Sequence, residues 1–253
     1  ASTELLDNTK NYLLEQNKKK FKISCERQNI KLNNLIQYID SWEKTKLLVI
    51  GDTILDQYAG CEAIGMSAEA PVLVVRELQK KDFVGGASIV ASHIKALGAD
   101  CHFLSVVGKD NSAKVIKEKL ELQKISYDLI EDISRPTTFK KRYIVENQKL
   151  FRVSKLNDHL LDKNIEKDLI NKLELQAPNI NGIVISDFAY GVITEKILKK
   201  VISLSKKYSL KVFGDVQCSS QIGLITKFNE FTLLCPNEKE ARIALQDKDS
   251  GLE

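Results

Sequence analysis

Four side chains able to bind hydroxyls, phosphates or metal ions each follow a short apolar run. Asp52 follows Leu47-Leu48-Val49-Ile50-Gly51, Asp187 follows Ile183-Val184-Ile185-Ser186, Asp215 follows Lys211-Val212-Phe213-Gly214, and Asn237 follows Phe231-Thr232-Leu233-Leu234-Cys235-Pro236. Runs of this kind read as strands, and Leu47–Ile50 as one buried on both faces of a parallel sheet. Ligands of open α/β sheets bind outside the carboxyl ends of the strands, so the four side chains are predicted to converge on one rim. A single Asp in such a place is ordinarily a cap or turn residue. Four together point to a polar ligand, the more so because Gly85-Gly86 precedes a helical pattern at Ile89, Val90, His93, Ile94 and Leu97. Glycines there let a ligand approach the backbone, and a helix start offers unpaired N–H groups to oxygen-rich molecules.

The elements that must position these residues alternate regularly from Leu47 onward. Strands are predicted at Cys101–Val107, Thr137–Val145, Lys149–Ser154, Ile183–Ile185, Lys211–Phe213 and Phe231–Leu234, with helices at Ala113–Leu122, around Ile165–Leu173, at Ile197–Leu204 and from Glu238 to Leu245. This order predicts an α/β fold, a doubly wound and mostly parallel sheet with helices on both faces. Gly60–Phe83 interrupts the alternation with the apolar run Ala70-Pro71-Val72-Leu73-Val74-Val75, which reads as an inserted pair of strands forming a small β lid over about residues 59–83. Residues 1–44 are polar and free of glycine, and their apolar clusters suggest two helices joined by the Lys18–Lys22 stretch.

The series Val49-Ile-Gly-Asp-Thr-Ile-Leu-Asp-Gln-Tyr58, Glu69-Ala-Pro-Val72, Val84-Gly-Gly-Ala-Ser-Ile-Val-Ala91 and Ala96-Leu-Gly-Ala99 resembles the N-terminal half of the ribokinase-like (PfkB-type) carbohydrate kinases, and within them the heptose 7-phosphate kinases. The resemblance implies ATP and Mg2+ as cofactors and a sugar or sugar phosphate as substrate. It assigns sugar hydroxyls to Asp52, Gly85 and Gly86, and it makes Lys140 and Arg142, on one face of a strand, the basic pair facing the substrate. Asp187, on the same rim, completes the substrate set. Asp215, Asn237 and Glu240 belong to the nucleotide and metal region, with Glu240 reaching magnesium through water; Asn237 and Glu240 also have the spacing of a helix capping box. The lid implies a homodimer, which an exposed apolar strand edge favours independently. Ser2–Leu6 resembles the tail of nucleotidyltransferase domains fused to some heptose kinases, which would make residues 7–44 a linker from an upstream domain.

Departures from the pattern are Ile89 where the family usually has Asn, Tyr190 where Lys is common, and Gln217 where heptose kinases carry Lys. The D-T-x-G-A-G-D stretch that supplies the family's anion hole and general base does not occur in the 253 residues. The chain is therefore expected to be the N-terminal two thirds of a kinase domain, with the base beyond Glu253 and no catalytic residue of its own. The other reading is a non-catalytic module of the same fold that binds sugar phosphate or acts as a scaffold. No P-loop and no G-x-G-x-x-G is present, so a dinucleotide-binding enzyme fits poorly.

Composition narrows the classes further. A net charge of +4 spread along the chain does not argue for nucleic acid. Cysteines 25, 61, 101, 218 and 235 form no C-x-x-C pair, so neither a zinc site nor a disulfide framework is expected, and a cytoplasmic protein with reduced thiols is the simplest account. No apolar run is long enough for a membrane helix.

Overall fold

The computed structural model describes residues 2–217, 224–247 and 250–251, with side chains from residue 12 onward. Cys218, Glu253 and the side chains of Leu5 and Leu6 lie outside the described residues. Two units are present, residues 1–44 and 45–253. In the first, helix α1 (Ser2–Arg27) runs straight through the lysine cluster expected to break it. Lysine is a good helix former, and Lys18 pairs with Glu15 one turn back at 2.9 Å. The chain turns instead at Asn29, whose φ of 52° suits asparagine better than most residues. Helix α2 (Leu32–Ser41) follows, with no buried side chain.

The second unit begins with β1 (Lys46–Gly51), β2 (Thr53–Met66), β3 (Leu73–Gly86), α3 (Ala87–Ala96), β4 (Asp100–Val107), α4 (Asn111–Leu122) and β5 (Ser126–Glu131). It continues through β6 (Thr138–Val145), β7 (Gln148–Lys155), α5 (Lys163–Gln176), β8 (Gly182–Asp187), α6 (Glu195–Tyr208), β9 (Lys211–Val216), β10 (Leu233–Leu234) and α7 (Glu238–Leu245). Side chains alternate across β1. Leu48 and Ile50 enter a core shared with Leu169 and Leu173 of α5 and Ile197 and Val201 of α6, while Val49 enters one shared with Ala91 of α3 and Ile116 and Leu120 of α4. Leu48, Val49 and Ile50 are fully buried, and each burial is worth about 1.5–3 kcal/mol.

The main sheet is entirely parallel in the order β10-β9-β8-β1-β4-β5. The chain steps outward from β1 through β4 to β5, then returns to the other side of β1. The direction of winding therefore reverses between β1 and β8, where an open α/β sheet leaves a crevice beyond its strand ends. Gly51 is paired with Ser186, which puts Asp52 and Asp187 side by side at that point.

The lid is larger than the sequence suggests. It is a four-stranded sheet in the order β3-β2-β6-β7, in which β2 begins one residue after β1 ends. β2 and β3 form a long antiparallel hairpin with register shifts at Gly60/Cys61 and Ala63/Gly65. Strand β5 had no clear signal, because Ser-Tyr-Asp-Leu-Ile-Glu mixes polar and apolar residues at a sheet edge. The last strand is shorter than expected, two residues at Leu233–Leu234. Among the described residues no helix is long and apolar enough to cross a membrane. Cys25, Cys61, Cys101 and Cys235 are free, and burial pushes the Cys101 thiol up to about 12, where it is inert.

Candidate functional site

A cavity of about 970 Å3 opens between the lid sheet and the rim of the main sheet. Strand alternation aims Ile54, Asp56 and Tyr58 of β2 and Lys140, Arg142 and Ile144 of β6 into it, and the parallel register sets Asp56 beside Lys140 and Tyr58 beside Arg142. The Arg142 guanidinium pairs with Asp56 Oδ1 and lies 5.2 Å from the Tyr58 ring centre. Lys141 points the other way, to Glu77 at 2.5 Å. Directly across the hairpin from Arg142 stands Arg152 of β7, also lining the cavity. Lys80 and Lys81 of β3 complete a wall of five basic side chains against one carboxylate.

What approaches the two glycines here is the protein itself: a Cβ on Gly85 would collide with the Asp56 carboxylate, and one on Gly86, whose φ of 62° makes the turn into α3, would strike the Asp52 carbonyl. Lys140 is 3% exposed, with its ammonium 5.6 Å and 5.1 Å from the ring centres of Phe188 and Tyr190. The two aromatic faces offset part of the cost of burying its charge.

Asp52 and Asp187 are brought together but do not line the cavity. Asp52 Oδ2 accepts hydrogen bonds from the N–H groups of Phe188 (2.8 Å) and Tyr190 (3.3 Å), and Oδ1 from that of Val192 (3.2 Å). Its carboxyl is pushed up to about 7, first by burial and then by the neighbouring Asp187 charge, while the three backbone donors pull the other way. Asp187 accepts from the Ala189 N–H at 2.7 Å and pairs with Lys227. Both carboxylates hold the loop after β8, whose backbone turns at Ala189 and Gly191 (φ 58° and 92°). Asp52 and Asp187, the residues expected to meet substrate, are each 2% exposed with oxygens engaged inside the protein, a scaffolding geometry.

The carboxylate that does face the cavity is Asp56, which lies within a strand rather than at its end and so carries a weaker sequence signal. Its signal was present in the period-2 set Ile54, Asp56, Tyr58 opposite Gly85-Gly86.

The pfkB family carbohydrate kinase model matches residues 44–253. The chain belongs to this family. It is 35% identical over 206 residues to the bifunctional protein HldE of Campylobacter jejuni strain RM1221, covering 81% of this chain and 42% of that protein. With the bifunctional protein HldE of Helicobacter hepaticus it shares 37% over 213 residues, covering 81% and 43%. The chain thus spans less than half the length of these curated relatives. Among solved structures, the phosphofructokinase-2 of Escherichia coli in complex with fructose-6-phosphate superposes with a TM-score of 0.61 at 16% identity, covering 82% of this chain and 66% of that one, a likeness of fold.

The pfkB region at β9 and α7 holds the remaining expected residues. Asn237 caps α7 by accepting from the Glu240 N–H, and Glu240 accepts from the Asn237 N–H, both at 2.9 Å, so the capping box is formed. Asp215 is half-buried, and burial followed by the Glu240 charge raises its carboxyl above the usual range, against a hydrogen bond donated by Gln217. Among the described residues no three His, Cys, Asp or Glu side chains are grouped to hold a metal ion. Two mutually repelling carboxylates nevertheless suit magnesium, which keeps several waters and takes one or two carboxylates plus substrate phosphates.

Proposed function

We propose that this chain carries the sugar-binding part of an ATP-dependent sugar kinase whose acceptor is itself phosphorylated, a heptose 7-phosphate feeding surface-polysaccharide synthesis in the cytoplasm. The charge of the cavity carries this reading: Lys80, Lys81, Lys140, Arg142 and Arg152 line it, and Asp56 is the acidic side chain among its described lining residues. A neutral sugar does not need five cations, whereas a phosphate takes the charge-assisted contacts they offer. Asp56 Oδ2, on the Gly85 side, accepts from sugar hydroxyls while Arg142 holds Oδ1. Phe188 and Tyr58 bound the sugar with apolar faces. Asp215 and Glu240 are the residues that would hold magnesium, partly through water, and the ion when bound supplies positive charge to the nucleotide phosphates.

Titration calorimetry tests the site directly. Asp56→Asn keeps the shape and removes the charge, and should weaken heptose 7-phosphate binding roughly tenfold to a hundredfold, the scale of a charge-assisted hydrogen bond. Unchanged affinity removes Asp56 from the site.

Assembly is a second expectation. β3 is an edge strand of the lid, and Val72, Leu73 and Val74 near its start are 53%, 49% and 37% exposed. We expect a second copy of the chain to cover this edge. Val74→Lys should then lower the mass read by light scattering toward the monomer, and a native protein already monomeric at micromolar concentration rules the dimer out.

The alternative is a sugar-phosphate-binding or scaffold module of the same fold without catalysis. ATP consumption by the natural protein with heptose 7-phosphate separates the two.

A further inference from the structure

Arg135 lies in the connection from β5 to β6, where the chain leaves the main sheet for the lid, and it is 7% exposed. Its guanidinium donates in three directions: Nε to Asp132 Oδ2 at 2.8 Å, Nη1 to the Tyr190 carbonyl at 2.9 Å, and Nη2 to the His159 carbonyl at 2.7 Å. Asp132 is itself fixed by the N–H and hydroxyl of Ser134, and a Cβ on Gly108 would strike the backbone of residues 135–137, so the arginine stands on a rigid base. Position 135 immediately precedes the β6–β7 hairpin and position 159 closely follows it. One side chain therefore gathers both ends of the hairpin that carries Lys140, Arg142 and Arg152 and ties them to the loop whose Phe188 lines the cavity.

That loop needs the tie. The Tyr190 hydroxyl is buried without a hydrogen-bond partner among the described residues, so nothing polar at its far end fixes the ring. Its position is set through its peptide group, by the N–H given to Asp52 and the carbonyl held by Arg135. The ring so placed faces the Lys140 ammonium. Gly191 packs so closely on the His159 carbonyl that a Cβ there would collide with it, which couples the same two segments a second time.

We propose that Arg135 is a positioning residue for recognition of the substrate's phosphate: it sets the cationic β6–β7 hairpin against the Phe188–Val192 loop. This rests on the sugar-phosphate reading above. A lysine cannot replace it, because a single ammonium does not span three acceptors in a planar fork.

The test compares the native chain with Arg135→Lys and with the double variant Asp132→Asn/Arg135→Gln, which leaves no buried charge unpaired and guards against a simple failure to fold. Calorimetry measures heptose 7-phosphate and unphosphorylated heptose. Both variants should lose at least tenfold in affinity for the phosphorylated sugar while binding of the free sugar changes less than threefold; an equal loss for both, or no loss, overturns the proposal. Hydrogen exchange of the unliganded chain gives a readout independent of the ligand. Peptides covering residues 186–194 should exchange at least tenfold faster in the variants while those covering 100–107 do not, and unchanged exchange at 186–194 also overturns it. Faster exchange confined to that loop, in a protein whose native form binds neither sugar, supports the positioning role and sinks the sugar-phosphate reading instead.

Discussion

Asp52→Ala is expected to cost about 3–5 kcal/mol of folding stability, although the residue does not line the cavity between lid and rim. The substitution strands three N–H groups, those of Phe188, Tyr190 and Val192, and a buried donor without a partner costs about 1–3 kcal/mol. Relief of the repulsion from Asp187 offsets part of the sum. Against a total of about 5–15 kcal/mol for an ordinary domain, the variant should be largely unfolded at 37 °C or recovered only as aggregate. Asp52→Asn retains an acceptor and is the informative variant for pH. The folded carboxyl lies at about 7 and its ordinary value is 3.8. Between those values the folded chain holds a proton that the unfolded chain has released, so the contribution to stability is full below about pH 4 and is lost as pH rises through 7. Urea unfolding at pH 5, 6, 7 and 8 should therefore show the native chain losing stability with rising pH more steeply than Asp52→Asn. Parallel profiles would mean that Asp52 does not exchange its proton over this range.

The second large effect concerns turnover. Residues 1–253 with heptose 7-phosphate, ATP and magnesium should consume ATP at least ten-thousandfold more slowly than the same chain extended through a segment bearing the Gly-Ala-Gly-Asp sequence. General acid–base catalysis and preorganised charge stabilisation each contribute about a hundredfold or more, and the 253 residues contain neither the family's anion hole nor its base. Comparable rates would move the catalytic centre into the present chain. Asp215, with its raised carboxyl, is then the first candidate base, and Asp187, already paired with Lys227, the second.

Much of the fold was legible in the sequence because its strongest elements are local. Leu47–Ile50, a β-branched-rich apolar run stopped by glycine, reads as a doubly covered strand, and Gly85-Gly86 stands just before a helical pattern. β5 escaped because an edge strand need not alternate cleanly, and α1 was cut in two because a lysine run resembles a linker until its i,i+3 partner is considered. The site was half legible. Placing Lys140 and Arg142 on one face and Lys141 on the other needed only the period of a strand. Deciding between Asp52 and Asp56 needed the return of the 188–192 loop over the end of β1, a contact between residues 136 or more positions apart. Arg152 needed the hairpin register, and Arg135 needed three segments at once.

The direct passage from β1 into β2 has a mechanical consequence. With only Asp52 between the two strands, and Asp52 held by three amides, the lid is anchored directly to a buried strand that is paired on both sides. Bending under load is then concentrated where the ladder is interrupted, at Gly60/Cys61 and Ala63/Gly65. Such a hairpin would hold Asp56 and Tyr58 on its regular inner half and leave any bending to the tip beyond the shifts, which hydrogen exchange along β2 would show as faster exchange past Gly60.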